Sequence, residues 1–244
     1  MLDGLRLAIT TLTVLPLRPG RVDRPTAAVA MSVAPLVGAL LGLILAAGHE
    51  GLRTAGSPPL VAAGVTVAAA ALLTRSLHLD GLADTVDALG SYRTGTKALE
   101  IMKKSDIGPF GVAAIAVTVL IQAAALTDTT PWALITAWTT GRLAITIACR
   151  RGVPAARPDG LGAMVASTVP LWAVATAAVT VAGLATAAVP GRPWQGPAAV
   201  AIALLAVVLL VRHCVRRFGG LTGDVLGCAV ELATTVTLVA LTLA

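Results

Sequence analysis

Apolar residues occur along this chain in long runs, separated by short stretches that contain Gly, Pro and charged residues. A helix of about 20 apolar residues is long enough to cross a bilayer core of roughly 30 Å. The pattern therefore predicts an all-α bundle in a single domain, residues 1–244, with about seven transmembrane helices. The predicted spans are Thr26–Gly48, Pro58–Thr74, Gly108–Leu126, Pro131–Cys149, Thr168–Ala188, Gly196–Val211 and Val225–Leu243.

Residues 1–25 have a different pattern from the spans. Leu2, Leu5, Ile9 and Leu12 recur at helical spacing among polar residues. This pattern predicts an amphipathic helix on the membrane surface. The segment has no compact apolar stretch followed by a cleavage site, so a signal peptide is not predicted.

Composition supports a membrane protein. The 244 residues are 57% hydrophobic and only 12% charged, with a mean hydropathy of +0.88. A soluble domain carries about 25% charged residues. The three cysteines, Cys149, Cys214 and Cys228, have no metal-binding or disulfide spacing and are expected to pack between helices.

The basic residues predict the orientation of the spans. If the N-terminus is cytoplasmic, 15 of the 18 Lys and Arg residues fall on that side, and only Arg53 and Arg192 on the other. An excess of this size is typical of cytoplasmic loops. Membrane topology and attraction to anionic lipid account for the excess of basic over acidic residues, so no nucleic-acid partner is expected.

The segment LHLDGLADTVDALG, residues 77–90, concentrates acids in a chain that has few. On a helix, Asp80, Asp84 and Asp87 share one face over roughly 10 Å. Like charges this close repel one another, and a divalent cation would offset the repulsion. Oxygen ligands suit Mg²⁺, or alternatively Mn²⁺. The simpler alternative is a solvated helix end outside the membrane.

A second acidic element begins the last span. Asp224 and Glu231, seven residues apart, share a helix face, and Glu231 lies about two turns into the membrane. An acid at that depth indicates function and needs a partner. The candidates are the same metal ion, which makes Asp224 and Glu231 ligands, or Arg142 in a structural ion pair.

Basic residues are predicted at the same membrane face. Lys103 and Lys104 precede a Gly-Pro-Phe-Gly break, where a helix N-terminus favours phosphate, although topology alone also explains them. Asp106 could cap that helix or bind substrate. The other predicted substrate-binding residues are His78, Gly108, Arg142, Arg150 and Arg151. Carboxylates, Mg²⁺ and cations together favour phosphoryl transfer.

Three motifs carry a resemblance to a known family. LHLDGLADTVDALG, EIMKKSDIGPFG and LTGDVLGCAVELATT, in this order, resemble cobalamin synthases, and the N-terminal TTLTVLPLR is similar to that family's opening. The resemblance implies a Mg²⁺-dependent enzyme of the bacterial inner membrane with a cytoplasmic active site. Its implied substrates are adenosylcobinamide-GDP and α-ribazole or its 5′-phosphate, with release of GMP. A homo-oligomer or a complex with other cobalamin-assembly enzymes is also compatible with it.

The family's motifs fall on particular residues of this chain. They place metal ligands at Asp80, Asp84, Asp87, Asp224 and Glu231, and a conserved loop at Ile107, Gly108 and Gly111. Asp87, or else Asp84, is expected to accept the proton of the attacking hydroxyl. The chain departs from the pattern at Ala88, where glycine is common, and in the order of Lys104 and Asp106, which bears on their substrate contacts.

Two other functions fit parts of the pattern. CDP-alcohol phosphotransferases of lipid synthesis also use clustered acids, but their signature has an Ala-Arg after Asp-Gly, which residues 80–87 lack. A secondary transporter would use acids as ion sites, usually near the midplane between inverted repeats. The acids here lie at one end of the predicted spans, which favours the enzyme.

Overall fold

The computed structural model describes residues 1–18 and 20–243, and within these ranges every regular element is a helix. Two single-turn 3₁₀ helices, Leu126–Asp128 and Ala185–Ala187, extend the helices that precede them. The α-helices are α1 Leu2–Leu12, α2 Arg24–Ser32, α3 Ala34–Thr54, α4 Pro59–Leu73, α5 Leu77–Gly90, α6 Gly95–Ile101, α7 Pro109–Ala125, α8 Pro131–Ala148, α9 Gly160–Val165, α10 Leu171–Leu184, α11 Gln195–Phe218 and α12 Gly223–Thr242.

Each predicted span contains a long helix, which confirms the all-α bundle. Four helices of the described chain, α3, α7 with its 3₁₀ turn, α11 and α12, are long and apolar enough to cross a membrane. Helices α4 and α5 would add a fifth span only if the sharply bent pair counted as one. A total of seven is therefore not confirmed. The first predicted span divides at Val33, between α2 and α3, one residue before the Ala-Pro start of α3.

Helix α8 forms the centre of the bundle. Its residues from 136 to 148 are all buried, including four threonines and Arg142. Because protein surrounds it, this helix can carry polar side chains that lipid would exclude. Helix α3 lies close against it: a Cβ added at Gly38 would lie 2.5 Å from the carbonyl oxygen of Trp138. Gly38 and Gly42 thus act in helix packing.

A sharp turn separates α4 from α5. Arg75 and Ser76 both have φ of 54°, in the left-handed region that side chains other than glycine rarely adopt. The two helices meet at 89° as a result. Helix α5 contacts the N-terminal ends of both α7 and α12. It therefore lies across the end of the bundle where α7 and α12 begin.

Part of the predicted N-terminal surface segment is helical: α1 covers Leu2–Leu12, whereas residues 13–18 and 20–23 form no helix. Helix α1 buries Ala8 and Leu12 and exposes Leu2, and it packs against α2 and α3. At the start of α2 the backbone N–H of Thr26 donates to the carboxylate of Asp23 at 2.8 Å. Hydrogen bonding to Thr26, first through its side chain and then through its backbone, lowers the pKa of Asp23. Part of the predicted surface segment, residue 19, lies outside the described residues.

Candidate active site

Helices α5 and α12 cross with two glycines in contact. A Cβ added at Gly81 would lie 2.7 Å from the carbonyl oxygen of Asp224 and 3.1 Å from the Cα of Gly227. A Cβ added at Gly227 would lie 3.1 Å from the carbonyl oxygen of His78. Small residues let helix backbones approach this closely. The crossing therefore brings the acidic motif of α5 beside the first turn of α12.

The approach places carboxylates from the two motifs together. The pKa of Asp84 is raised to about 7, first by burial and then by the negative charges of Asp80, Asp224 and Asp87. None of these carboxylates forms an ion pair within 4 Å: in residues 1–18 and 20–243 the sole ion pair joins Arg6 to Asp3, at the N-terminus. Arg157, which lines a cavity with Asp80 and Asp224, offsets their charge only from a greater distance. The two acidic motifs therefore lie close together, as predicted. Their carboxylates repel one another, which costs free energy, and a bound cation would remove that cost.

Asp87 has a different environment from its neighbours. One of its oxygens accepts a hydrogen bond from the backbone N–H of Gly108 at 2.7 Å, and the other accepts one from Gly111 at 2.9 Å. A Cβ at either glycine would collide with this carboxylate. Asp87 thus joins α5 to the N-terminus of α7, which explains both glycines of the predicted loop.

A cavity of about 290 Å³ lies beside the crossing and is called the first cavity. Its charged and ionisable lining comes from α5, α12 and the segment before α9. Its remaining walls are mostly apolar side chains, among them Leu12, Met31, Ile145 and Leu161. The charged and ionisable lining residues are His78, Asp80, Arg157, Asp159 and Asp224.

A second cavity of about 240 Å³ lies on the side of α5 that faces α7. Asp84 and Asp87 line it together with Lys104, Asp106 and Gly108. The structure thus brings together the acids of α5 and three residues predicted to bind substrate. Lys104 is its one cationic lining residue in the described chain, and both Lys104 and Asp106 are exposed to solvent.

Glu231 lies away from this cluster, in the bundle interior. The side-chain amide of Gln122 donates to it at 2.8 Å. Arg142, only 2% exposed, lines the same small space of about 20 Å³ beside Glu231, but the two form no ion pair within 4 Å. The structure therefore places Glu231 and Arg142 near each other and in neither acidic cavity. Their predicted roles on metal and phosphate stay predictions.

Three other predicted residues lie outside both cavities. Arg150 donates to the carbonyl oxygen of Ile147, in the last turn of α8. Arg151 and Lys103 are exposed to solvent. None of the three lines a cavity that contains the acids. Their positions are explained by the excess of basic residues on the cytoplasmic side at least as well as by contact with a substrate.

The carboxylates do not form a complete metal cage. Within the described residues no three Asp, Glu, His or Cys side chains converge closely enough to hold an ion. Mg²⁺ is usually held by one or two carboxylates together with substrate phosphates and water. The oxygen-only donors Asp80 and Asp224, which form no ion pair within the described residues and have Asp84 beside them, fit that mode of binding.

Two lining residues of the first cavity were not predicted as site residues. Asp159 and Arg157 come from the loop between α8 and α9, which is read from sequence as a cytoplasmic connector. One signal was present: Asp159-Gly160-Leu161 repeats the Asp80-Gly81-Leu82 of the acidic motif. Gly162, in α9, packs against the backbone of Thr222, so α9 lies over the start of α12 and holds the preceding loop there.

The apolar helices and the acidic cluster at one end define a multi-pass membrane protein with a polar site at the bundle end. Comparison with known proteins identifies it further. The model of the cobalamin-5-phosphate synthase family matches residues 4–242. The chain belongs to this family.

Relatives cover nearly the whole chain. A protein from Nocardioides sp. is 44% identical over 98% of both chains, and one from Frankia casuarinae is 42% identical over 96% of this chain and 92% of its own. A third, from Corynebacterium efficiens, is 38% identical over 96% and 89%. All three are named adenosylcobinamide-GDP ribazoletransferase. No solved structure matches the chain.

Proposed function

We propose that this protein is a Mg²⁺-dependent adenosylcobinamide-GDP ribazoletransferase. It joins α-ribazole, or its 5′-phosphate, to the cobinamide phosphate of adenosylcobinamide-GDP. A ribose hydroxyl attacks the phosphorus attached to the cobinamide, a new phosphodiester forms, and the bond to GMP breaks. Relatives that carry this name share 34–44% identity with the chain over most of its length, which supports the assignment.

The observation that carries the proposal is the contact of Gly81 with Gly227, which sets Asp80 and Asp84 beside Asp224. Asp80 and Asp224 would hold Mg²⁺ together with the diphosphate, and Asp84 would lie beside the ion. When bound, the ion neutralises negative charge on the diphosphate and on the carboxylates. Oxygen-only donors that form no ion pair within the described residues are the support for this choice.

The attacking hydroxyl must lose its proton. Both oxygens of Asp87 already accept hydrogen bonds from backbone N–H groups, which makes that carboxylate a weaker base. Asp84 lines the second cavity beside Asp87 and accepts no hydrogen bond from the described residues, so its carboxylate stays available to accept a proton. We therefore assign the base to Asp84 and a positioning role to Asp87. Lys104, in the second cavity, is placed to balance phosphate charge.

The active site faces the cytoplasm in this proposal. Arg157 and Arg217 donate to backbone carbonyls at the end of the bundle that holds α5 and α6. Arg53 lines a cavity with Asp128 at the opposite end. The excess of basic residues on the site's side supports a cytoplasmic position, and hence the plasma membrane of a bacterium.

The test is GMP release from membranes given adenosylcobinamide-GDP, α-ribazole and Mg²⁺. We expect turnover by the wild-type protein and a loss of at least about 100-fold in Asp84→Asn. Asp128→Asn, at the far end of the bundle, is the matched control and should retain full activity. Wild-type membranes that release no GMP would count against the function, and near wild-type turnover by Asp84→Asn would remove that residue from the site.

A further inference from the structure

Arg157 is a cation to which the proposed function gives no role in the reaction. It lies in the loop between α8 and α9 and is the one lysine or arginine that lines the first cavity, together with Asp80 and Asp224. Its guanidinium is nonetheless more than 4 Å from every carboxylate of the described residues. An arginine placed only to offset these acids would pair with one of them directly. The separation therefore needs another explanation.

The position of Arg157 is fixed by contacts of its loop and of its side chain. The backbone N–H of Ala156 donates to the carbonyl oxygen of Leu221 at 3.0 Å, and the N–H of Leu221 donates to that of Pro154 at 2.8 Å. At the tip of the Arg157 side chain, Nη2 donates to the carbonyl oxygen of Leu99, in α6, at 2.6 Å. These contacts hold the guanidinium beside the start of α12 and apart from the acids.

One end of the guanidinium remains available. Nε is enclosed by protein without a hydrogen-bond partner, and Nη2 is engaged by Leu99. Nη1 donates to no group of the described residues and, unlike Nε, is not enclosed, so it is the nitrogen that can reach the first cavity. A guanidinium has only donors and is always charged. A ligand of Arg157 must therefore bring an acceptor, and the charge favours an anion.

The N-terminus of α12 opens on the same cavity. Thr222 and Gly223, at the start of this helix of 20 residues, line it, and a helix N-terminus favours negative charge. The acids of the cavity alone would repel an anion. Arg157 and the helix terminus, which lie on separate segments of the chain, both attract one.

We infer that Arg157 binds a phosphate group in the first cavity, beside the carboxylates of Asp80 and Asp224. This inference rests on the proposed function, in which phosphates are the only anionic groups of the substrates, and it adds a substrate-contacting residue to that site. The phosphate belongs either to the diphosphate of adenosylcobinamide-GDP or to the 5′-phosphate of ribazole phosphate.

Arg217 supplies a matched control. It lies at the same end of the bundle, has an enclosed Nε without a partner, and donates through Nη2 to a backbone carbonyl, that of Arg93, at 3.0 Å. It lines neither of the two acidic cavities. Arg217 therefore represents an arginine with the same structural contacts but no access to the acids.

The first measurement is calorimetry on detergent-purified protein with Mg²⁺, using GDP and α-ribazole 5′-phosphate as probes. We expect Arg157→Gln to weaken binding of at least one probe about 10-fold or more, and Arg217→Gln to keep both within about twofold of wild type. Weaker GDP binding would identify the diphosphate as the ligand, and weaker binding of the ribazole phosphate alone would identify the 5′-phosphate. Unchanged affinity for both, or no binding of either by the wild-type protein, would overturn the inference.

A second measurement separates phosphate binding from support of the carboxylates. Mn²⁺ affinity without a phosphate ligand is read by electron paramagnetic resonance. Because Arg157 is a positive charge near Asp80 and Asp224, Arg157→Gln should bind Mn²⁺ at least as tightly as wild type. A fall of tenfold or more would show that the arginine only positions these carboxylates, and would overturn the inference.

Arg157→Lys keeps the inference testable if Arg157→Gln does not fold. Lysine retains the charge but lacks the fork that reaches Leu99 and a phosphate together, so it should weaken the same probe by at least about threefold. Wild-type affinity for both probes in this variant would contradict the inference. None of these measurements requires turnover, whereas failure of the wild-type protein to release GMP would count against the proposed function itself.

Discussion

Gly81 of α5 and Gly227 of α12 touch at the crossing of their helices, with a Cβ position on one 3.1 Å from the Cα of the other. This contact joins two acidic motifs that are more than 130 residues apart in sequence. The position of the carboxylates therefore depends on residues that carry no functional group.

We expect Gly81→Ala to impair activity without removing any ligand. The added Cβ would lie 2.7 Å from the carbonyl oxygen of Asp224, so the helices must separate and the carboxylates move apart. A displacement of about 1 Å can cost about 100-fold in rate. GMP release measures the effect. The control is Gly64→Ala in α4, where nothing lies within 4 Å of the new Cβ; equal activity losses in both variants would contradict this account of the crossing.

Asp87→Asn tests whether this residue positions α7. The asparagine presents one N–H to a backbone N–H, so it loses one of the two hydrogen bonds to Gly108 and Gly111 and the stabilising charge at the helix N-terminus. We expect a loss of about 1–3 kcal/mol in the free energy of unfolding. Thermal unfolding in detergent measures it.

Asp23→Asn is the control for this change, because Asp23 caps α2 far from the site. Asparagine is an equally good cap, so its unfolding temperature should stay near wild type. An Asp87→Asn protein as stable as wild type would contradict the positioning role.

Glu231→Gln distinguishes a structural acid from a metal ligand. The side chain accepts a hydrogen bond from Gln122 and lies near Arg142 in the bundle interior. We expect the variant to be less stable, while the Mg²⁺ concentration for half-maximal activity stays within about twofold of wild type. A rise of tenfold or more in that Mg²⁺ concentration would instead support Glu231 as a metal ligand.

The stability of the metal-free protein should depend on pH through Asp84. Its pKa is raised to about 7 in the folded protein, so folding favours the protonated form. Its contribution is fully present below the ordinary pKa of about 4 and is lost as pH rises through about 7. The unfolding temperature should therefore fall between about pH 4 and pH 7 in EDTA, and fall less in Asp84→Asn. Parallel curves for the two proteins would contradict this.

The sequence predicted much of the fold and part of the site. Apolar periodicity located every long helix, because burial in lipid or protein requires it. It could not predict the 89° turn at Arg75 and Ser76, since neither residue favours a left-handed conformation. The spacing of Asp80, Asp84 and Asp87 correctly predicted a shared helix, but not that α7 backbone groups would engage Asp87. That contact depends on tertiary structure.

For Glu231, in contrast, helical spacing alone did not predict the partner of the side chain. Seven-residue spacing placed it on the face of Asp224, yet two turns of helix separate them by roughly 10 Å along the axis. Gln122, from a helix more than 100 residues earlier, became its partner instead. A shared face in sequence therefore identifies residues that point the same way, and packing decides which of them reach one another.

The central claim is that carboxylates of α5 and α12 hold one divalent ion jointly with a diphosphate. Mn²⁺ binding by electron paramagnetic resonance, in purified protein with GDP present, tests it most directly. The account predicts binding by the wild-type protein and a loss of at least about tenfold in affinity in both Asp80→Asn and Asp224→Asn. Wild-type affinity in the Asp224→Asn protein would contradict it.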